Sequence, residues 1–280
     1  MFGLKPRPKL VGIVNITVDS FSDGGRFLEP EAAIAQARKL KQDGADIIEL
    51  GPASSHPDAN KVSAATEIGR LQPVMDVLRR EGLALAVDTP QLGTQLYALQ
   101  AGAAMINDIR GFPDEAVYGA LAATSARLVV MHSIVDATRA VRSERTVEEA
   151  FASVSRFFEE RLGQMEQHGI ARSRLIVDPG MGFFLSTRPE ASLAMLSEIE
   201  TLRRRFGCPV MISVSRKSFL RNAFGRADCD IEARTLAAEL FAWTQGVDFI
   251  RTHDVAPVDQ AMATFEAILA AKAEAKAEPA

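Results

Sequence analysis

Cysteine is scarce in this chain: Cys208 and Cys229 are the only two among 280 residues. Two thiols cannot make a disulfide framework, and neither sits at metal-ligand spacing, so both read as ordinary thiols of a reducing compartment. A basic surplus is also missing. With 32 Lys and Arg against 36 Asp and Glu, the formal net charge is -4 and the pI near 5.7. That balance argues against nucleic acid as a partner but leaves room for a local cationic site for phosphate. No apolar run reaches the ~18 residues of a membrane span. The opening "MFGLKPRPKL" has charge and proline where a signal peptide needs an apolar stretch. A cytoplasmic protein without a membrane segment is the expectation. Finally, no G-x-G-x-x-G follows the first apolar run, which removes the usual mark of a dinucleotide-binding sheet.

What the chain does have is alternation. Short runs rich in Val and Ile alternate with longer stretches of helical period, the sign of βα units and a parallel sheet. The strand-like runs are "KLVGIVNI" (9–16), "DIIELG" (46–51), "LALAVDT" (83–89), "AMIND" (104–108), "RLVVMHS" (127–133), "RLIVDPG" (174–180), "PVMISVS" (209–215) and "FIRTHD" (249–254). Amphipathic segments such as "EAAIAQARKLKQDG" and "VEEAFASVSRFFEERLGQMEQHG" lie between them and close on Gly, which suits a helix C-terminus. Eight such units in a chain that is 47% hydrophobic predict a single α/β domain over 1–280, a (β/α)8 TIM barrel with its core at about 10–270. An open doubly wound sheet is the alternative, and the unit count exceeds its usual ~six strands.

Nearly every predicted strand stops on a polar residue. Asn15 ends the first, Asp88 the third, Asn107 and Asp108 the fourth, His132 the fifth, Asp178 the sixth, Ser215 with Lys217 the seventh, and Arg251 with His253 the eighth. Barrel active sites gather at the C-terminal ends of the strands, so these groups are expected to converge on one mouth. A single Asp, Asn or Ser there could merely cap the following helix. Capping does not ask for Lys, Arg and His together, and those groups mark an anion site, where many barrels bind phosphate. Asp88, Asn107 and Asp178 supply acceptors and an amide, which suits a flat, guanine-like heterocycle with several N–H donors. Two polar stretches, 17–27 and 52–61, are placed to act as a lid, though Gly24 and Gly25 would equally serve a tight turn. His132 is expected inside the mouth in a supporting role, and His168 at an ordinary helix end.

"GIVNITVDSFSDGG", "INDIRGF", "LIVDPGMGF", "SVSRKSFL" and "RTHD" resemble, in order and spacing, the motifs of the dihydropteroate synthase family from about Leu10 to Ala270. The resemblance implies a barrel enzyme that joins 6-hydroxymethyl-7,8-dihydropterin diphosphate to p-aminobenzoate and releases pyrophosphate. It implies that Asp88, Asn107 and Asp178 hold the pterin edge, and that Lys217 contacts the ring. Arg251 would lie against the ring face and reach the diphosphate, with His253 and Asn15 on the pyrophosphate and Asn15 on Mg2+. Lys217, Arg251 and His253 are thus the expected catalytic groups, and Phe183, Phe184 and Ser218 border the p-aminobenzoate pocket. The family also implies a homodimer, for which the apolar "LAAELFAWTQG" helix is one surface.

Departures from the family's ordinary pattern gather around one substrate. Phe184 and Leu185 follow Gly182 and Phe183 where most members read Gly-Phe-Gly-Lys. Ser54, Ser55, His56 and Pro57 replace the usual Thr-Arg-Pro, and Val18 replaces a proline. These features are similar to the sulfonamide-resistant Sul-type branch, in which Phe184 would crowd the aryl-amine pocket and reject a tetrahedral sulfonyl group. Core packing is the competing role for Phe184, and whether His56 substitutes for the loop arginine is open. Two further readings share the barrel: a corrinoid-linked pterin methyltransferase domain, against which "SRKS" and the lack of a cobalamin-binding region argue, and a non-catalytic pterin-binding paralogue.

Overall fold

The computed structural model describes residues 5–17, 28–54, 62–136, 139–140, 143–223 and 230–277. Most of the two expected lid stretches, including Val18, Gly24, Gly25 and His56, lies outside the described residues, as does Cys229. Cys208 is buried and free.

Eight strands form one parallel sheet: β1 (Lys9–Asn15), β2 (Ile47–Gly51), β3 (Leu85–Asp88), β4 (Met105–Asp108), β5 (Arg127–Met131), β8 (Leu175–Asp178), β9 (Met211–Ile212) and β10 (Phe249–Thr252). Their order is β8-β5-β4-β3-β2-β1-β10-β9. A parallel bridge between Val177 and Val210, with Val177 N donating to the Pro209 carbonyl at 3.0 Å, joins the two ends and closes the barrel. The strands are buried on both faces and read as continuous apolar runs, as a parallel sheet covered by helices requires. A short antiparallel pair, β6 (Val135–Asp136) and β7 (Arg139–Ala140), stands outside the barrel after β5.

The helices begin and end where local chemistry requires. α1 (Pro30–Gln42) starts on a proline, and α2 (Ala64–Arg80) on the Ser63 side chain. α5 (Val147–Gln167) opens with a reciprocal capping box between Thr146 and Glu149. α9 (Ile231–Thr244) is capped by Asp230, and α10 (Val255–Ala277) closes the chain. The sequence suggested eight helices; ten α-helices lie among the described residues, because two links carry a pair each. β8 and β9 are joined by α6 (Pro189–Ser197) and α7 (Ile199–Phe206), and β9 and β10 by the short α8 (Ser218–Asn222) and α9. Leu92–Gln100 forms α3 and Tyr118–Ala122 forms α4.

Two cores result. The larger lies between sheet and helices. The smaller fills the bottom of the barrel with one residue from each strand: Val11, Ile47, Ala86, Met105, Val129, Ile176, Met211 and Phe249. This inner layer sets the position of everything above it, since side chains on a strand return to the same face every second residue.

Candidate active site

Two residues beyond the apolar layer, on the same inward face, stand Ile13, Glu49, Asp88, Asn107, Met131, Asp178, Ser213 and Arg251. Asn15, Ser215 and His253 follow after a further two. The mouth is therefore a direct product of strand parity: an apolar floor, a polar ring, then a rim.

Arg251 organises the ring. Its Nε donates to Glu49 Oε1 at 2.5 Å, its Nη2 to Asp88 Oδ2 at 3.0 Å, and its Nη1 to Ser213 Oγ at 3.2 Å. Glu49 has no exposed surface and also accepts from Asn107 Nδ2 at 3.3 Å. Once its amide nitrogen is so engaged, the buried Oδ1 of Asn107 is left without a partner. A buried acceptor with an unmet bond is costly, and a ligand N–H would relieve it.

Burial and its neighbours set the charge states. Desolvation, reinforced by Glu49 and partly offset by Arg251, pushes the Asp88 carboxyl up to about 7. Burial also raises Asp178, against the pull of Lys217. Lys217 is lowered to about 8, chiefly by burial and against the attraction of Asp178. For Arg251 burial works downward, but Glu49 and Asp88 outweigh it and hold the guanidinium charged. Three carboxyl groups, Glu49, Asp88 and Asp178, thus face two cations, Arg251 and Lys217.

The rim follows from loop chemistry. After β8, Asp178 Oδ1 accepts from Gly180 N at 2.8 Å, and Gly180 takes a left-handed φ of 73°. A side chain there is also blocked, since a Cβ would stand 2.4 Å from the His132 carbonyl oxygen. The single turn Gly182–Phe184 comes next, leaving Phe183 and Phe184 both half-buried. Lys217 lies across this turn: Nζ donates to the Met181 carbonyl at 3.2 Å and sits 5.0 Å from the centroid of the Phe184 ring. Ser218 begins α8 directly after it. On the last strand, His253 Nδ1 and its backbone N both approach Ser215 Oγ, at 3.0 and 3.2 Å. At the end of β1, Asn15 faces Gly51, where a Cβ would come within 3.1 Å of its Oδ1.

Two polar strand ends have other duties. Asp108, one residue past Asn107, points the other way and accepts from Arg110 N, Phe112 N and Gln95 Nε2 at 2.8, 3.3 and 2.9 Å. His132 was expected inside the mouth, but Met131 occupies the inward position and His132 is turned outward against α5. Its Nδ1 is 3.0 Å from the Pro179 carbonyl, its Nε2 3.0 Å from Ser153 Oγ, and its ring meets Phe157 edge-on. Burial lowers it to about 4, so it is neutral at physiological pH. His168, in contrast, is at the exposed end of α5 as expected, with Nδ1 2.8 Å from the Gln164 carbonyl.

Glu49 and Ser213 were not anticipated. Glu49 does carry a signal in "IIELG": an acid in an otherwise apolar strand, at the parity of Ile47 and so on the barrel's inner side.

Residues 11–253 match the family model described as pterin binding enzyme. The chain is 54% identical over 259 residues to the dihydropteroate synthase type-2 of Escherichia coli, covering 92% of this chain and 95% of that protein. It is 43% identical to the type-3 synthase of Escherichia coli, covering 93% and 99%. A structure of Xanthomonas albilineans dihydropteroate synthase with 4-aminobenzoic acid superposes with a TM-score of 0.82 at 34% identity, covering 98% of this chain and 95% of that one. Sequence, barrel and relatives agree over most of the chain: it belongs to the dihydropteroate synthase family, transferases of folate biosynthesis.

Proposed function

We propose that the mouth holds the dihydropterin on Asp88, Asn107, Asp178 and Lys217 and lets its diphosphate leave toward Arg251 and His253. The polar ring carries this reading. It offers a carboxylate, an amide with an unmet acceptor and a second carboxylate on one side, and cations on the other. An edge rich in N–H donors and an anionic tail are what such a ring complements.

In the condensation, the aryl-amine nitrogen of p-aminobenzoate bonds to the exocyclic methylene carbon while the bond from that carbon to the diphosphate oxygen breaks. The amine loses a proton and pyrophosphate departs with the bonding electrons. Most of the barrier is charge growing on the leaving oxygen. Arg251, already fixed by Glu49 and Asp88, presents a permanent cation, and each well-placed donor to such a charge lowers the barrier by about 3 kcal/mol. His253, held by Ser215, contributes a second group on that side. A strong general base is less needed, because an aniline nitrogen attacks in its neutral form and can lose its proton late, to solvent or to the departing pyrophosphate.

The residues at the rim suit a magnesium ion carried in by substrate. No cluster of three or more His, Cys, Asp or Glu able to hold a metal exists among the described residues, but Mg2+ typically takes phosphate oxygens and water with few protein ligands. The amide oxygen of Asn15 is the group that would hold it, and when bound the ion would neutralise charge on the departing diphosphate.

Phe183, Phe184 and Ser218 would border p-aminobenzoate. Phe184 would narrow that pocket so that a planar carboxylate enters and a sulfonamide does not, a reading supported by its half-buried place on the rim turn beside Lys217. The assembly is a homodimer, supported by the 44% exposed Phe241 on α9 and the 36% exposed Leu193 on α6, which packs against α9. Among the described residues no helix is long and apolar enough to cross a membrane.

The test is pyrophosphate release from dihydropterin diphosphate, p-aminobenzoate and Mg2+ across a sulfamethoxazole series, for the chain and for Phe184→Gly. Turnover that resists the drug in the parent and yields to it in the variant is expected. Equal inhibition of both rejects insensitivity through Phe184, and no turnover in the parent rejects these site roles.

A further inference from the structure

The contact between Phe184 and Lys217 has a meaning beyond steric exclusion. Three features of the 181–184 turn fit the lysine side chain. The Met181 carbonyl accepts from Nζ at 3.2 Å, the Phe184 ring centroid is 5.0 Å from the same nitrogen, and Gly182 runs alongside the stem, where a Cβ would be in ordinary van der Waals contact at 3.8 Å from Lys217 Cδ. The turn is itself fixed from outside: Ile134 N donates to the Phe184 carbonyl at 3.0 Å, and Gly182 N to Ser192 Oγ at 2.9 Å. The backbone that carries the ring is therefore held in place.

An ammonium at that distance from an aromatic face is attracted by the ring quadrupole, and more strongly where water is excluded. In this structure Nζ makes its hydrogen bond to a carbonyl rather than a carboxylate; Asp178 and Asp88 attract it and Arg251 repels it through longer-range charge. Those groups set the field but not the direction. The Met181 carbonyl and the Phe184 face supply the direction.

We propose that Phe184 is a positioning residue for Lys217, so that the aromatic that narrows the aryl-amine pocket also aims the ammonium at the pterin. This rests on the site roles above, in which Lys217 meets the pterin ring. Its consequence is that opening the pocket to sulfonamides at this position weakens the pterin side as well. Steric exclusion alone has no such linkage.

The test is a double-mutant cycle on the full chain with Phe184→Leu, Phe184→Trp, Lys217→Met and the pair Phe184→Leu with Lys217→Met. Equilibrium binding of dihydropterin diphosphate, both KM values and sulfamethoxazole inhibition are measured, and thermal melts confirm folding. Phe184→Leu should weaken pterin affinity about threefold to thirtyfold, the range of a partly to fully desolvated cation–π contact. Phe184→Trp should keep it, and Phe184→Leu should add nothing in the Lys217→Met background. In Phe184→Leu the ammonium also loses a stabilising face, so the basic limb of the pH profile should move to lower pH. Equal losses in both lysine backgrounds, or unchanged pterin affinity in a folded Phe184→Leu, overturn the proposal. Drug sensitivity reports separately: a Phe184→Leu variant that gains it with unchanged pterin affinity rejects the positioning role alone. Weaker pterin binding with continued drug resistance rejects steric exclusion and keeps the positioning role.

Discussion

Replacing Glu49 with glutamine preserves side-chain shape and removes one of the three carboxylates of the polar ring. In the native mouth this buried side chain accepts from Arg251 Nε at 2.5 Å and Asn107 Nδ2 at 3.3 Å. A hydrogen bond involving a charged group contributes about 1.5–3 kcal/mol. Two effects offset its loss: Arg251 keeps Asp88 at 3.0 Å, and Asp88 and Asp178 are each freed from a neighbouring negative charge. The net cost is therefore at the low end, about 1.5 kcal/mol. For a chain of this size that corresponds to a Tm lower by about 3–6 °C. Activity falls further, about tenfold in kcat/KM for the dihydropterin diphosphate, because the guanidinium loses the partner that orients it, and tenfold is about 1.4 kcal/mol of transition-state stabilisation.

The pH dependence has a definite sign. Asp88 is raised to about 7 partly by Glu49, so in Glu49→Gln it titrates lower and stays ionised to a lower pH. Pterin binding measured by calorimetry across the acid range should then keep its strength to lower pH in the variant. Stability moves in the opposite sense. Between the ordinary carboxylate range and about pH 7 the folded chain holds a proton on Asp88 that the unfolded chain has released. That carboxyl's contribution is present at low pH and lost as pH rises through about 7. Glutamine at position 49 narrows this window. An unchanged Tm together with an unmoved acid limb of pterin binding would refute the argument that Glu49 anchors Arg251 and raises Asp88.

Gly180→Ala should cost more than the ~1–2 kcal/mol of a left-handed backbone, because its Cβ would collide with the His132 carbonyl; urea unfolding measures the loss, and a neutral result contradicts the loop geometry. Asp178→Asn should weaken dihydropterin binding by about tenfold to a hundredfold, the cost of losing a charged acceptor while the Gly180 contact keeps an oxygen, read by direct binding. Chelation by EDTA should abolish turnover and added Mg2+ restore it, with Asn15→Ala needing a higher Mg2+ concentration for half-maximal rate; turnover indifferent to EDTA excludes the assignment of Asn15.

Much of this was legible along the chain because it depends on local rules. Eight apolar runs followed by helical periods favoured a barrel over an open sheet, and barrel geometry sends strand ends to one mouth, so Asp88, Asn107, Asp178, Lys217, Arg251 and His253 could be grouped without coordinates. Asp108 and His132 show where that reasoning stops. Each ends a strand beside a mouth residue, and only the inward or outward parity of the strand, fixed when the apolar layer of Val11 through Phe249 packs, separates a ligand-facing group from one that braces a loop.

The sequence by itself determined the fold class, the family and the inventory of polar strand ends, since periodicity and motif spacing are properties of neighbouring residues. Tertiary structure alone decided which of them meet. Glu49 pairs with Arg251 across 202 positions of sequence, and Lys217 reaches Phe184 from another strand's loop, because closing the barrel brings β10 beside β1 and seats the β9 turn over the turn that follows β8. Those contacts depend on register and closure, which no local stretch of sequence contains.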